Sequence, residues 1–258
     1  MIRSLGLATL AAALFAGHAF AQSACKPTPI GTAKVVAVRD GHTLTLADGR
    51  ILRLAGIEVT TASRAALQRL AAGKILRLGN FGPDRDRYGR LVALAFVGNA
   101  EKSVQQALLM AGKARVAARV GDMVCARLLL AAEKAARAAR RGLWADPRFL
   151  PINAGNLARL RAETGKFALV EGKALSVHAT SGTIYLNFGR RWTRDFSVII
   201  LRRRRHRFAA AGIDPTQLRG RTLLVRGFIE MRRGPVIEAE APEQIEFANG
   251  VSSASADK

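Results

Sequence analysis

Alternating apolar and polar residues predict five strands in the first half of the chain. "AKVVAVRD" is β-branched and alternates, "GHTLTLADGR" alternates around an Asp48-Gly49 turn, and "ILRLAGIEV" has the pattern of a third strand. "KILRLGNFG" and "LVALAFVG" are predicted as strands four and five, on either side of the turn-like "PDRDRYGR". This half of the chain is therefore expected to be built around a sheet or barrel.

Apolar residues at helical spacing predict three helices between and after these strands. "TASRAALQRLAAG" offers Thr61 or Ser63 as N-cap and Gly73 just past its end, and "EKSVQQALLMAG" is amphipathic. "DMVCARLLLAAEKAARAARRGLW" is longer, and steps of three and four residues give it one apolar face: Val124, Leu128, Ala131, Ala135 and Ala138. Five strands, with one helix before strand four and two after strand five, indicate an α+β protein. Its first unit is predicted to be a closed five-stranded, OB-fold-like β-barrel capped by helices, over residues 34–148.

The second half of the chain repeats the order of elements of the first. After a helix-like connector at 149–165, residues 166–248 follow the order strand, strand, strand, helix, strand, strand. We therefore predict a second small, mostly-β barrel there. The tail at 249–258, "NGVSSASADK", is expected to be disordered.

The N-terminal segment has the pattern of an export signal. Residues 1–21 combine Arg3, a run of about 16 apolar residues and a small-residue "AFA" site, which predicts cleavage after Ala21 and a linker at 22–33. The run is shorter than the ~20 residues of a membrane span, and no later stretch is long and apolar enough. We expect an exported protein, periplasmic or secreted, without a transmembrane segment.

Two cysteines remain after the predicted cleavage, Cys25 and Cys125. An even number in an oxidising compartment suggests a disulfide, which would tie the N-terminus onto the long helix. The alternative is a pair of buried free thiols.

The charge of the chain is strongly positive. Lys and Arg total 41 against 19 Asp and Glu, a net charge of +22. Such a surface attracts nucleic acid or another polyanion. The basic run "LRRRRHRF" is interpreted as a polyanion contact through Arg202, Arg203, Arg204 and Arg205, with a solvated helix face as the alternative.

Four fragments then occur in one order: "VRDGHTLTLADGRILRLAGIEV", "DRDRYGRLVALAF", "SVQQALLMAGKARV" and "AAEKAARAARRGLW". Together they resemble the staphylococcal nuclease-like (thermonuclease) family over almost the whole first unit. The second half, with "IYLNFG", "DFSVII" and "GPVIE", is similar to an accessory domain of some exported bacterial members. The resemblance implies hydrolysis of DNA and RNA phosphodiesters with one Ca²⁺ ion.

The resemblance also implies roles for single residues. Arg53 and Arg90 match the two arginines that grip the phosphate, and Tyr88 matches the aromatic side chain beside the bound nucleotide. Asp40 opens the metal-binding turn, and Glu58 stands where the family has a metal-binding aspartate.

The chain departs from the family at the positions that activate water. His42 replaces an aspartate that binds Ca²⁺, and Thr61 replaces the catalytic glutamate. Ala118 and Val120 stand where the best-known member has two nucleotide-contacting tyrosines. Imidazole is a poor ligand for Ca²⁺, and loss of a positioned base removes a factor of about 10² to 10⁴ in rate. Weak or absent phosphodiesterase activity is therefore predicted.

Several alternatives stay open from the sequence. Arg53 and Arg90 are either a phosphate clamp or salt-bridge partners of Asp40, Glu58 or Asp86. His42 is either an ordinary turn residue or, with Asp40 and Glu58, part of a mixed site for Zn²⁺ or Mn²⁺.

Three side chains are assigned structural roles. Trp144 and Trp192 are predicted to pack, and Glu133 to pair with arginines. As a whole, the protein is a nucleic-acid or phosphate-polymer binder, an active metal-dependent nuclease, or a non-catalytic envelope scaffold.

Overall fold

Seven strands and three helices form the first unit of the computed structural model, which describes residues 25–80, 82 and 85–248. The strands are β1 Thr28–Val38, β2 Thr43–Leu46, β3 Ile51–Leu54, β4 Ile57–Val59, β5 Ile75–Asn80, β6 Leu91–Val97 and β7 Ala114–Val116. The helices are α1 Ser63–Ala71, α2 Val104–Met110 and α3 Met123–Ala138. The predicted signal peptide at 1–21 and the tail at 249–258 lie outside the described residues.

The five longer strands of this unit close into a barrel in the order β1-β2-β3-β6-β5. Alternate residues point inward, so that Leu44, Leu52 and Leu76 are completely buried in one core. Within the described part of the chain, no helix is long and apolar enough to cross a membrane. The predicted five-stranded barrel with helices is confirmed.

Two strand boundaries differ from the sequence prediction. β1 begins at Thr28, inside the segment predicted as a linker, because residues 28–34 pair with β5. The predicted third strand "ILRLAGIEV" is interrupted at Gly56, which has a φ of 73°, and its second half becomes β4. β4 leaves the barrel and pairs with β7, a strand that the sequence analysis did not predict.

The helices are confirmed, but two of their details were predicted wrongly. Neither candidate caps α1: Ala62 occupies the N-cap, and the Ser63 hydroxyl instead accepts the Thr60 N–H and donates to the Lys113 carbonyl. In α3 the residues predicted as the apolar face lie toward solvent, and Leu128 is 39% exposed. The buried face is shifted by one residue to Cys125, Ala126, Leu129, Ala132, Glu133 and Ala136.

The predicted disulfide is present. Cys25 and Cys125 are joined, with a sequence separation of 100 and their Cα atoms 4.7 Å apart. The bond fixes the start of the described chain to the first turn of α3, where the Asp122 side chain caps the helix by accepting the Cys125 N–H.

The second unit contains nine short strands and two helices among the described residues. The strands are β8 Ile152–Asn153, β9 Phe167–Lys173, β10 Ser176–Ala179, β11 Thr183–Asn187, β12 Ser197–Leu201, β13 Thr222–Phe228, β14 Glu230–Met231, β15 Pro235–Glu238 and β16 Ile245–Phe247. The helices are α4 Leu157–Ala162 and α5 Arg205–Ala210. The predicted mostly-β character is confirmed.

These strands form two sheets, ordered β10-β11-β12-β15-β14 and β16-β13-β9-β8, where a single small barrel was predicted. A core of aliphatic and phenylalanine side chains lies between the sheets. Ile152 and Leu160, both from the segment predicted as a connector, are buried in this core. These two residues of the predicted connector therefore pack with the second unit.

A buried ion-pair network joins the two units. Arg226 on β13 is 1% exposed, and its guanidinium donates to the Glu133 carboxylate on α3 at 2.8 and 3.2 Å. It also donates to the carbonyl of Val116 at 3.0 Å and to the carboxylate of Glu246. Arg137 pairs with Glu133 from the other side at 3.0 Å. The predicted pairing of Glu133 with arginines is confirmed, and its main partner is an arginine 93 residues away.

This network keeps its charge in spite of burial. Burial opposes the charged form of Arg226, but the carboxylates of Glu133 and Glu246 outweigh burial and raise its pKa. Trp144, as predicted, is a packing residue: it is completely buried at the same junction with Phe167, Leu169 and Leu224.

We predict that Arg226→Met destabilises the protein by about 3–5 kcal/mol, because it leaves the Glu133 carboxylate buried without its main partner. The free energy of unfolding in urea measures this. Arg148→Met is the control: Arg148 is 83% exposed and pairs with Asp146 in water, so its loss should leave the free energy of unfolding almost unchanged. Equal effects of the two substitutions would contradict a structural role for the network.

Candidate nucleic-acid interface

The turn between β1 and β2 holds Asp40 and His42 in contact. Asp40 Oδ1 accepts the backbone N–H of His42 at 2.8 Å, and the same oxygen lies 2.9 Å from Nδ1 of the His42 imidazole. Gly41 between them is enclosed, since a Cβ there would lie 2.7 Å from the Cβ of Ser63. The turn is thus held against the start of α1.

Two arginines act on this turn: Arg53 on β3, and Arg90 just before β6. Burial lowers the pKa of His42; the Asp40 carboxylate opposes the shift, and the charges of Arg53 and Arg90 add to it. Arg53 lies on β3 opposite Val92 of β6, two residues from Arg90. Asp40, His42, Arg53 and Arg90 are therefore gathered at one end of the barrel.

The two arginines differ in their partners. Arg90 makes the predicted kind of salt bridge, with its Nη2 and Nε at 2.7 and 2.8 Å from Asp86. Asp86 also accepts the backbone N–H groups of Tyr88 and Arg90, which builds the turn before β6. Among the described residues, no carboxylate forms an ion pair with Arg53. The salt-bridge interpretation thus applies to Arg90 alone.

Tyr88 projects from this turn and is 66% exposed. The guanidiniums of Arg87 and Arg90 lie 4.8 and 5.3 Å from the centre of its ring, and Arg87 donates to its hydroxyl at 2.6 Å. An exposed aromatic ring with two cations beside it can stack on a base while the cations contact phosphate.

Glu58 lies on the other side of Arg53, in a cleft of about 440 Å³ between the two units. Burial raises the pKa of Glu58, although Arg53 and Arg115 oppose the shift. The second unit supplies most of the opposite wall, with Phe228, Glu230, Glu238 and Glu240. The cleft therefore has mixed charge, and it is not a continuous basic groove.

The basic run of the second unit is partly neutralised. Arg204 pairs with Glu240 at 2.7 Å, Arg205 pairs with Asp214 at 3.2 Å, and Arg202 donates to the carbonyl of Thr180. Of the four arginines predicted to bind a polyanion, Arg203 alone is without an ion pair or a side-chain hydrogen bond among the residues described.

The donor set of the barrel end does not fit Ca²⁺. Over the described part of the chain, no three His, Cys, Asp or Glu side chains form a group able to hold a metal ion. Asp40 and His42 meet, but Glu58 does not join them, so the predicted Zn²⁺ or Mn²⁺ site is not assembled either. Thr61, at the position of the family glutamate, is exposed at the start of α1 and carries no carboxylate.

Ala118 and Val120, predicted to stand where the best-known family member has two tyrosines, lie in different surroundings. Ala118 lines the cleft, whereas Val120 is buried and its backbone N–H donates to Glu243 of the second unit at 2.9 Å. Trp192, predicted to pack, is instead 60% exposed, which corrects that assignment.

A closed five-stranded barrel with helices and a cluster of arginines at one end is typical of an oligonucleotide-binding-type domain. Residues 59–146 match the family model of the staphylococcal nuclease homologue. The first unit is therefore a staphylococcal nuclease-like domain, as the sequence fragments predicted. No curated protein matches the chain. The presence of a domain of this family indicates nuclease activity or nucleic-acid binding.

The sequence analysis missed the second wall of the cleft. Glu230, Glu238 and Glu240 are more than 170 residues from Arg53 along the chain. No local pattern links them, because only the docking of the two units brings them together. The alternation of "PVIEAEAPE" marks a strand with acids on one face, which was the one available signal.

We predict that His42 titrates below its ordinary pKa of 6.5. Since the unfolded chain binds this proton more readily, the contribution of His42 to the free energy of unfolding is complete above pH 6.5. It falls as the pH drops toward the lowered pKa. NMR titration of the imidazole measures the shift.

The causes of the shift can be separated by two substitutions. Asp40→Asn should lower the pKa of His42 further, and Arg53→Gln should raise it, because the two charges act in opposite directions. Shifts of the same sign in both variants would show that the charges around His42 are not arranged as described.

Proposed function

We propose that the protein binds nucleic acid or another phosphate polymer through arginines, and that its phosphodiesterase activity is weak or lost. The observation that carries this proposal is the exposed Tyr88 beside the guanidiniums of Arg87 and Arg90. A single strand can place a base on the ring and phosphates on the cations. The net charge of +22 supports a polyanionic partner.

The loss of catalysis is supported by the same end of the barrel. His42 offers a ring nitrogen where the family has an oxygen ligand, and Thr61 offers a hydroxyl where it has a carboxylate. A hydroxyl cannot act as a general base near neutral pH, so the rate should be lower by about 10² to 10⁴. Arg53 and Arg90 would still contact phosphate.

We also propose that the protein acts outside the cytoplasm. The disulfide between Cys25 and Cys125 supports export, since such bonds persist in oxidising compartments. The segment at 1–21 has the pattern of a signal peptide.

One observation favours the nuclease alternative. The carboxyl of Glu58 has a raised pKa and lies beside Arg53 in the cleft, which suits a general base that works near neutral pH.

The scaffold alternative draws support from the glutamates on the opposite wall, because they would repel a phosphate chain that entered the cleft. Binding at the Tyr88 turn does not require entry into the cleft.

We predict that Tyr88→Ala weakens the binding of single-stranded DNA by about 5-fold or more, through the loss of one stacked base. Arg90→Gln should weaken binding and also flatten the salt dependence by about 0.7 in the slope of log K against log salt. Fluorescence anisotropy with a labelled strand at rising salt measures both.

Arg127→Gln is the matched control for the binding experiment, since Arg127 lies on the exposed face of α3, remote in sequence from the Tyr88 turn. Binding that is insensitive to salt, or equal losses in Arg90→Gln and Arg127→Gln, would count against the proposed interface.

A nuclease assay with Ca²⁺, Mn²⁺ and Zn²⁺ in turn tests the proposed loss of catalysis. We expect little cleavage by the natural chain and a gain of about 10² or more in Ca²⁺ when His42→Asp and Thr61→Glu are combined. Rapid Ca²⁺-dependent cleavage by the natural chain, abolished by Arg90→Ala, would establish the nuclease alternative instead.

A further inference from the structure

The five-stranded sheet of the second unit has one face that does not belong to the hydrophobic core. Along β11, Ile184 and Leu186 point into the core, while Tyr185 and Asn187 point to the other side. That side forms the floor of an open cavity of about 870 Å³. The cavity lies wholly on the second unit and shares no lining residue with the cleft beside Arg53.

A row of hydrogen-bonded polar side chains crosses the floor. Ser176, Asn187 and Ser197 are neighbours on three adjacent strands. The Asn187 amide donates to the Ser176 hydroxyl at 3.1 Å, and the Ser197 hydroxyl donates to the Asn187 carbonyl oxygen at 3.1 Å. Because these groups hold one another in place, they present fixed donors and acceptors to a ligand.

Aromatic rings line the cavity above this row. Tyr185 pairs across the strands with His178, with ring centres 6.5 Å apart. Trp192, from the loop between β11 and β12, is 60% exposed at the cavity edge, and the Arg233 guanidinium lies 5.7 Å from its ring centre. An exposed tryptophan beside a cation offers a flat stacking surface.

The charge around the cavity is positive. No carboxylate lines it, whereas Arg232 and Arg233 do. Arg232 is neutralised by Glu230 and Glu238, but Arg233 has no ion-pair partner among the described residues. The Trp192 loop adds three further exposed arginines that are also outside any ion pair in the described part of the chain: Arg190, Arg191 and Arg194.

We propose that this cavity is a second binding site, which takes single-stranded nucleic acid by stacking bases on Trp192 and Tyr185. The unpaired arginines contact the phosphates, and Asn187 offers hydrogen bonds to a base edge. A neutral sugar would use the rings and leave the arginines without a partner. A polyphosphate chain would use the arginines and not the rings, whereas single-stranded nucleic acid uses both.

The inference deepens the proposed function but depends on different residues, so the two can fail separately. The chain has two tryptophans, of which Trp144 is completely buried and Trp192 is exposed. Quenching of tryptophan fluorescence therefore reports occupation of this cavity, even if DNA also binds at Tyr88. Labelled oligothymidylate, followed by anisotropy and by quenching, is the probe.

We expect oligothymidylate to quench Trp192, and Trp192→Ala to weaken binding by about 5-fold or more. Trp192→Phe keeps a stacking ring, so it should largely keep affinity and lose the quenching. Tyr88→Ala should leave the quenching intact. If Tyr88→Ala has no effect on affinity while Trp192→Ala lowers it, the result supports binding in the cavity and contradicts binding at the Tyr88 turn.

Three results would overturn the proposal. Binding seen by anisotropy without quenching would exclude the cavity as the site. Equal competition by heparin, with no effect of Trp192→Ala on oligothymidylate affinity, would indicate attraction of any polyanion. Quenching by neutral oligosaccharides and not by oligothymidylate would indicate a sugar site.

Discussion

The contact between Arg226 and Glu133 is the constraint on which the rest of the structure depends. It places a full charge from β13 of the second unit against α3 of the nuclease-like barrel, with both side chains out of contact with water. Each side chain is tolerable there because the other is present and because Val116 and Glu246 make further hydrogen bonds to the pair. The network therefore fixes how the units meet, and with it the walls of the cleft beside Arg53.

The order of the strands and helices in the first unit followed from local patterns, since alternation and helical spacing report which side of each element is buried. What those patterns could not give were features set by distant parts of the chain. The buried face of α3 carries a charged residue, Glu133, whose burial makes sense only with Arg226 in place. A count of apolar positions alone therefore selected the neighbouring face, with Leu128 on it. In the second unit five strands were predicted where the structure has nine, because several predicted strands are each divided in two. Its division into two sheets depends on pairings between distant segments, such as that of β12 with β15.

The candidate site also combines residues that short motifs identify with residues that only the folded structure brings to it. Asp40, His42 and Arg90 could be found from short motifs, and the structure gathers them with Arg53 at one end of the barrel. Local sequence could not show that Glu240 faces this end, where it links Arg119 of the first unit to Arg204 of the second. The second unit is thus part of the surroundings of the site. Its contribution of carboxylates changes the electrostatics that the barrel alone would present.

The short strand β8 limits where the chain can be cut to separate the two units. Ile152 and Asn153 pair in parallel with β9, so the chain that leaves the barrel forms the edge strand of the four-stranded sheet of the second unit. A fragment starting at residue 166 would lack this edge strand and the buried Leu160, and its Arg226 would face solvent or an empty surface in place of Glu133. We therefore expect the two units to unfold in a single cooperative transition.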